Sequence, residues 1–435
     1  MSDPFHQFGL GKWIHDNGEL GFKPIKAKRW GTHFGVHFTP IIFFFIPVYL
    51  IFDGPLFLLY LQVIFVGLSA IPLYYIAKNI FKEKITPFII VIVYLFFRQL
   101  LLGLMHDIHM EMYFPLFLFS SYYFIAIKKR PFLFFSFITL ALFIKEDIAM
   151  YIFFFGIFLF FKLKEKKYGF VTSIYSLLFF VLAMGIIIPF FRSQVGAEGS
   201  YVYDHFGGNL IQIIENILVH PGVLFESVNM EFFLTKFSNI ILPLLLLPFF
   251  SIYIILAFPP LFVAIMSKNP QHYSFGIHYS ATLLPFIFLS LTYGLKNVKD
   301  FFQKIKMGKF IKLFLVILIL LLFINLANSN FWRIVKPSKY KALKDYKHVA
   351  KIIDQIPRKA SVAALSSLIP HIPKRKNIYM LPETGEAEFI LVHSGINLWP
   401  YKEEEFLNFL NRIENEKRYS RIYQHGDVKL FKKRR

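Results

Sequence analysis

Ten apolar stretches separated by short clusters of charge constrain this chain more than any other feature. They cover residues 55–77, 85–103, 112–127, 131–144, 148–161, 169–191, 237–252, 254–267, 279–295 and 310–326. Runs such as 168–189 and 311–325 hold almost no polar side chain over roughly the length, ~20 residues, that crosses a ~30 Å hydrocarbon core as a helix. The stretches lack the two-residue alternation of a membrane barrel, which excludes that class. Composition agrees, with 56% hydrophobic and 17% charged residues among 435, against the ~25% charged that is usual for soluble domains. The 57 Phe alone exceed what a soluble core of this size would need. The prediction is an α-helical polytopic membrane protein of about ten spans, several of them short for a bilayer.

The charge balance then orients the spans. Lys+Arg number 48 and Asp+Glu 27, a net charge of +21. Such an excess suits phosphate contacts in a nucleic-acid binder. In a chain this apolar it is better explained by cytoplasmic loops and anionic lipid head groups, so no nucleic-acid partner is expected. Lys-rich loops at 78–84, 128–130, 162–167 and 296–309 are therefore placed in the cytoplasm. The alternate loops, 105–111, 145–147, 192–235 and 268–278, carry His, Asp, Glu and Asn and are placed outside. Leaving Lys145, Glu146 and Asp147 at the bilayer centre would cost ~8–10 kcal/mol at ~3 per residue. A reversal at the outer interface is expected there, between two helices only ~21 Å long.

The two ends of the chain differ from this pattern. No apolar core flanked by a cleavage site occurs in the first thirty-odd residues, so no cleavable signal peptide is expected. Stretch 39–52 is short and holds Pro40 and Pro47. If it spans, the basic tail 1–37 is cytoplasmic; if it lies in the interface, the tail is outside. Residues 1–331 are assigned to a membrane domain, within which 1–54 form a first outer loop and interfacial helix. Residues 332–435 are assigned to a small extracytoplasmic α/β domain with a helix over 340–356. Its expected strands are 361–365, 377–381 and 388–393, with a hairpin at 423–431 around His425-Gly426-Asp427.

The groups able to do chemistry fall in four clusters. His33 and His37 are four apart. His106, Asp107, His109 and Glu111 lie between two apolar stretches, Lys145, Glu146 and Asp147 are consecutive, and His272 and His278 close an outer loop. Imidazoles at i and i+4 share a helix face, and with a carboxylate nearby they can bind a divalent metal. The same groups can act as an acid/base set or hold a phosphate, and any one of them can simply solvate a loop end. Acids and imidazoles at membrane depth are functional candidates by default. The sequence has no Gly-rich phosphate loop followed by Lys-Ser/Thr and no Gly-x-Gly-x-x-Gly. Having no Cys, it has no thiolate ligand or nucleophile.

The wording of several segments resembles one family. His37-Phe38-Thr39-Pro40, Pro47-Val48-Tyr49, Leu61-Gln62 and Pro72-Leu73-Tyr74 are similar to the opening signature of domain-of-unknown-function family 2079, a group of polytopic membrane proteins. His109-Met110-Glu111 resembles its His-Pro-Glu segment, and Lys145-Glu146-Asp147 its Lys-Glu-Asp. His278-Tyr279-Ser280-Ala281 with Pro285 resembles its His-Tyr-Ser-Ala…Pro. Ser361-Val362-Ala363-Ala364 through Pro370-His371, and Ile378-Tyr379-Met380-Leu381-Pro382, are similar to its C-terminal region. Where family members show Phe-Asp-Gln, this chain reads Phe5-His6-Gln7, with His6 in the Asp place.

The resemblance implies a grouping with GT-C-type glycosyltransferases, which take a sugar from a polyprenyl-phosphate carrier at the outer membrane face. It also favours the interfacial placement of 39–52. On that reading Asp3, Asp107 and Glu111 are the candidate catalytic carboxylates, with Asp16 behind them. Lys145 or Arg29 would neutralise the lipid phosphate. His6, His33, His37, His109, Glu146 and His278 complete the substrate-binding set, with a divalent metal as the one cofactor to consider. The expected partners are a lipid-linked sugar donor and lipids of a plasma or inner membrane. The alternative is a transporter or flippase for a lipid-linked or metal substrate, suggested by the stretches broken at Pro243, Pro248, Pro259 and Pro260.

Overall fold

The computed structural model describes residues 33–35, 37–51, 56–106, 108–193, 206–207, 210–222, 229–267, 270–308, 310–327, 346–372, 377–396, 398 and 401–434. The chain is mostly helical, with a small C-terminal sheet. Among the described residues four helices are long and apolar enough to cross a membrane: Phe57–Phe81, Met110–Ile127, Lys166–Phe191 and Ser280–Lys304. A fifth candidate is the pair Ile85–Leu95 and Arg98–Met105, bent by 41°. Ser280–Lys304 is the central helix, with 83% of its apolar window buried, whereas Lys166–Phe191 has 22% buried and turns Phe170, Leu178 and Ile186 outward.

Among the described residues these four to five candidate spans account for fewer than the ten apolar stretches, several of which form shorter or broken helices. Stretches 131–144 and 148–161 form the short helices Pro131–Leu142 and Ile148–Phe161, joined at the three consecutive ions. Ile42–Ile51 has ten residues, ~15 Å, and does not reach across a bilayer. Stretches 237–252 and 254–267 make no pair of spans. Helix Met230–Ile241 gives way to 3-10 turns at Leu242–Leu244, Leu247–Phe250 and Ile252–Ala257, followed by helix Phe258–Met266. Leu245 and Leu246 between the turns have φ of 56°.

This break is tolerated because it is packed against protein, the condition for irregular backbone at membrane depth. Ser290 Oγ donates to the Pro248 carbonyl at 2.7 Å, and Asn297 Nδ2 to the Phe250 carbonyl at 2.8 Å. A Cβ at Gly294 would sit 1.9 Å from the Leu247 carbonyl oxygen, so the close approach needs glycine. The Tyr122 hydroxyl meets those of Tyr253 and Tyr293 at 2.8 and 2.5 Å, tying the break to two spans.

Contacts fix which loops share an end of the bundle. Lys129 pairs with Glu165, joining loops 128–130 and 162–167. The Lys299 ammonium lies 5.5 Å from the Phe81 ring centroid, joining loops 296–309 and 78–84. Rings of Tyr75 and Tyr123, near the C-terminal ends of their spans, are 5.8 Å apart, which brings the two pairs of loops to one end. Each loop contains one left-handed lysine: Lys82, Lys129, Lys164 and Lys306, with φ of 61°, 52°, 57° and 57°. This conformation stops the helix and places a cation by its carbonyl end. The N-termini of Phe57–Phe81, Met110–Ile127, Ile148–Phe161 and Ser280–Lys304 therefore gather at the opposite end.

The C-terminal segment forms a five-stranded sheet of order β2-β1-β3-β5-β4, comprising β1 (Val362–Ala364), β2 (Ile378–Met380), β3 (Phe389–His393), β4 (Tyr419–His425) and β5 (Val428–Lys433). Strands β2, β1 and β3 are parallel, and β3, β5 and β4 antiparallel. Helices Tyr346–Gln355 and Glu403–Asn415 supply Ile352, Ile353, Phe406 and Phe409 to its apolar core.

Candidate functional site

At the end of the bundle opposite the lysine loops, backbone and side chains from distant segments meet. Helix Pro131–Leu142 stops just before Phe143, whose carbonyl has no partner further along the helix. The Ile41 N–H takes it at 2.9 Å. This contact lays segment 37–39, which has no regular secondary structure, over the turn that follows. There His37 Nδ1 and Glu146 Oε1 are 2.8 Å apart, and the Phe38 N–H donates to Glu146 Oε2 at 2.9 Å. The His37 side chain is 41% exposed and that of Glu146 10%, so the carboxylate is the buried anchor and the imidazole faces outward.

The second half of the site is more enclosed. Lys145 Nζ donates to Glu111 Oε1 at 3.2 Å and stands 3.8 Å from Asp147 Oδ2, which also accepts from the Tyr151 hydroxyl at 3.2 Å. The His109 and His278 rings stack with centroids 3.4 Å apart and planes 14° from parallel. His109 Nδ1 is 3.9 Å from Glu111 Oε2, and His278 Nε2 is 4.0 Å from Glu111 Oε1. The His109 N–H donates to Gln62 Oε1 at 2.8 Å, which pins this loop to the first span. Tyr279 lies against the His278 and His272 rings, at 4.0 and 4.1 Å, and under the Lys145 ammonium at 5.8 Å.

Local sequence explains how these groups hold their places. Glu111 lies in the 3-10 turn Met110–Tyr113 that starts its span. Lys145, Glu146 and Asp147 form the first turn leading into Ile148–Phe161, with the N–H groups of Ile148, Ala149 and Met150 bonded back to their carbonyls. His278 accepts at its carbonyl from the Ala281 N–H as the central helix begins. Three carboxylates thus stand at helix N-termini, where the macrodipole favours negative charge.

The electrostatics follow from burial and pairing. Burial opposes the Lys145 ammonium, yet Asp147, Glu111 and Glu146 outweigh it and hold its pKa well above the ordinary lysine value. Burial likewise opposes the Glu146 carboxylate. The His37 imidazole hydrogen-bonded to it, with Lys145, reverses this and holds it below the usual range. Asp147 goes the other way: burial raises it, Lys145 only partly opposes, and Glu146 and Glu111 add to the rise. For His272, burial together with the Lys145 charge pushes the imidazole down to about 3, so it stays neutral.

Of the residues singled out from sequence, the structure brings together His37, His109, Glu111, Lys145, Glu146 and His278. His33 opens the 3-10 turn His33–Gly35 and His37 lies outside it without regular secondary structure, so the two do not sit on one helix as their spacing suggested. Asp3, His6, Asp16, Arg29 and Asp107 lie outside the described residues. Among the described residues His109, Glu111 and His278 are the group able to hold a metal ion, with one donor atom from each lying within 4.8 Å of the others. Sequence reasoning assigned no role to Gln62, Tyr151 or Tyr279. Gln62 carried a signal, being an amide in an otherwise apolar stretch. Tyr151 and Tyr279 look like ordinary interfacial aromatics until the fold is known.

A family model described as predicted membrane protein (DUF2079) matches residues 11–425 of the chain. No curated protein matches it.

Proposed function

The chain belongs to the DUF2079 family of predicted membrane proteins, and from that premise we propose that it is a GT-C-type glycosyltransferase using a polyprenyl-phosphate sugar at the outer membrane face. The observation that carries this reading is the meeting of His37, Glu146, Lys145, Glu111, His109 and His278 at the end of the bundle opposite its lysine loops. By the positive-inside rule that end is outward, where a lipid-linked donor presents its phosphate at the membrane surface. Three helix N-termini aimed at one place suit an anionic ligand, and Lys145 adds a fixed positive charge.

The chemistry would run as follows. His37, oriented by Glu146 through Nδ1, accepts the acceptor's hydroxyl proton at Nε2 as general base. The hydroxyl oxygen forms a bond to the anomeric carbon while the bond from that carbon to the phosphate oxygen breaks. The departing electron pair stays on the polyprenyl phosphate, and the Lys145 charge stabilises it as it leaves. Glu111 holds Lys145 in place. Of the earlier candidate bases, Glu111 fits this positioning role better, because Lys145 occupies one of its oxygens.

The transporter reading has less behind it. Its support was the stretches broken at Pro243, Pro248, Pro259 and Pro260, where the carbonyls of Pro248 and Phe250 are taken by Ser290 and Asn297. The test of the proposal is purified protein in lipid nanodiscs with labelled polyprenyl-phosphate sugars and candidate acceptors. Transfer, or slow hydrolysis without acceptor, is expected, falling ~100-fold or more in Glu146→Gln as an oriented base is lost. Folded protein that turns over no donor would overturn it.

A further inference from the structure

The enclosed half of the site has a feature that the transfer reaction leaves unexplained. His109 Nδ1 and His278 Nε2 each face a different oxygen of Glu111, at 3.9 and 4.0 Å. Both separations are too long for hydrogen bonds. Donors on one tetrahedral ion with bonds of ~2.0–2.2 Å lie ~3.3–3.6 Å apart, so each pair closes by a few tenths of an ångström on binding. The two rings stack face to face at 3.4 Å, so one imidazole tilts out of the stack when both in-plane lone pairs meet one ion. His278 and Glu111 are 4% and 7% exposed, and Gln62 fixes the His109 backbone, so the set is built in rather than a surface coincidence.

Formal charge points in the same direction. Three carboxylates, Glu111, Glu146 and Asp147, meet at the site against one lysine, Lys145, and the His37 imidazole on Glu146. Lys145 has a second acceptor available in Asp147, whose Oδ1 is buried with no hydrogen-bond partner among the described residues. A divalent ion would add positive charge beside these carboxylates, at the place where an anionic phosphate enters.

We propose that His109, Glu111 and His278 bind a divalent transition-metal ion, Zn2+ or one of similar preference, which gives the site its affinity for phosphate. Two imidazoles and one carboxylate suit such an ion better than Mg2+ or Ca2+, which favour oxygen ligands. Three protein donors leave a coordination position open for a phosphate oxygen. Ion binding stands on this donor set alone, whereas the ion's role toward phosphate rests on the transferase reading.

The test uses the full chain in detergent, stripped with chelator and dialysed against ZnCl2, MnCl2 or CoCl2, with bound metal measured by mass spectrometry. About one ion per chain is expected, with a visible Co2+ absorption band from nitrogen and oxygen donors. His109→Gln and His278→Gln should each weaken binding by ~10–100-fold or more, while His425→Gln in strand β4 should not. Glu111→Gln, nearly isosteric, serves if a histidine variant fails to elute as folded protein. Folded wild-type chain that retains none of the three metals, or variants that bind as tightly as wild type, would overturn the site. Transfer that persists after complete metal removal would overturn the ion's role and leave the transferase reading standing. Metal bound without transfer of any donor would support the site and count against that reading.

Discussion

Lys145 is the residue on which the enclosed cluster depends. It faces Glu111 at 3.2 Å and Asp147 at 3.8 Å, with little water to take its place. Removing one partner of a buried ion pair costs ~3–5 kcal/mol, because the remaining charge is left uncompensated. Lys145→Met should therefore lower the thermal stability of the detergent-purified protein by about that amount. Glu146 gives a pH signature. Its pKa in the folded chain lies below the ordinary carboxylate value, with burial opposed by His37 and Lys145. The stability it adds is fully present above the unfolded value of ~4.3 and is lost as pH falls through the depressed folded value. The melting-temperature gap between wild type and Glu146→Gln should thus be widest near neutral pH and close below pH ~4. A gap independent of pH would contradict this. The residue types of the site were legible in sequence because acids and imidazoles are conspicuous among apolar stretches. Their pairing was not: His37 and Glu146 are 109 positions apart, and no periodicity links them. The partners Tyr151 and Tyr279 become visible only once helix ends are brought together.

Among the elements, apolar length and lysine punctuation located the long helices well. Met110–Ile127 and Phe57–Phe81 lie close to stretches 112–127 and 55–77. One departure from that correspondence comes where proline interrupts an apolar run. Hydropathy sees residues 237–267 as two spans, but the prolines withhold N–H donors, and the chain turns through 3-10 segments whose carbonyls are satisfied from helix Ser280–Lys304. This packing predicts that Gly294→Ala, with its Cβ 1.9 Å from the Leu247 oxygen, destabilises by at least ~1–3 kcal/mol. Gly67→Ala, whose Cβ would meet nothing within 4 Å, should instead stabilise its helix by up to ~1 kcal/mol. Parallel melting curves of the two variants check both. The left-handed lysines give a further expectation. Lys306→Gly should relieve ~1–2 kcal/mol of backbone strain and raise the melting temperature. In the C-terminal segment the short strands and the hairpin were legible, but helix Glu403–Asn415 was not. Its buried Phe406, Phe409, Leu410 and Ile413 follow helical spacing but are diluted by the acidic residues around them.

For the whole molecule, everything turns on the two ends of the bundle being chemically unlike. Lysine loops gather at one end of the bundle and a cluster of acids and imidazoles at the other. The most direct measurement is labelling of single cysteines, introduced into this cysteine-free chain, with a membrane-impermeant maleimide in intact cells. Gly276, beside the His278 turn, tests the site end, and Lys164 and Gly308 test the lysine end. The account predicts that Gly276→Cys reacts from outside, while Lys164→Cys and Gly308→Cys react only after permeabilisation. Lysine-end positions reacting in intact cells, with Gly276→Cys protected until permeabilisation, would contradict it.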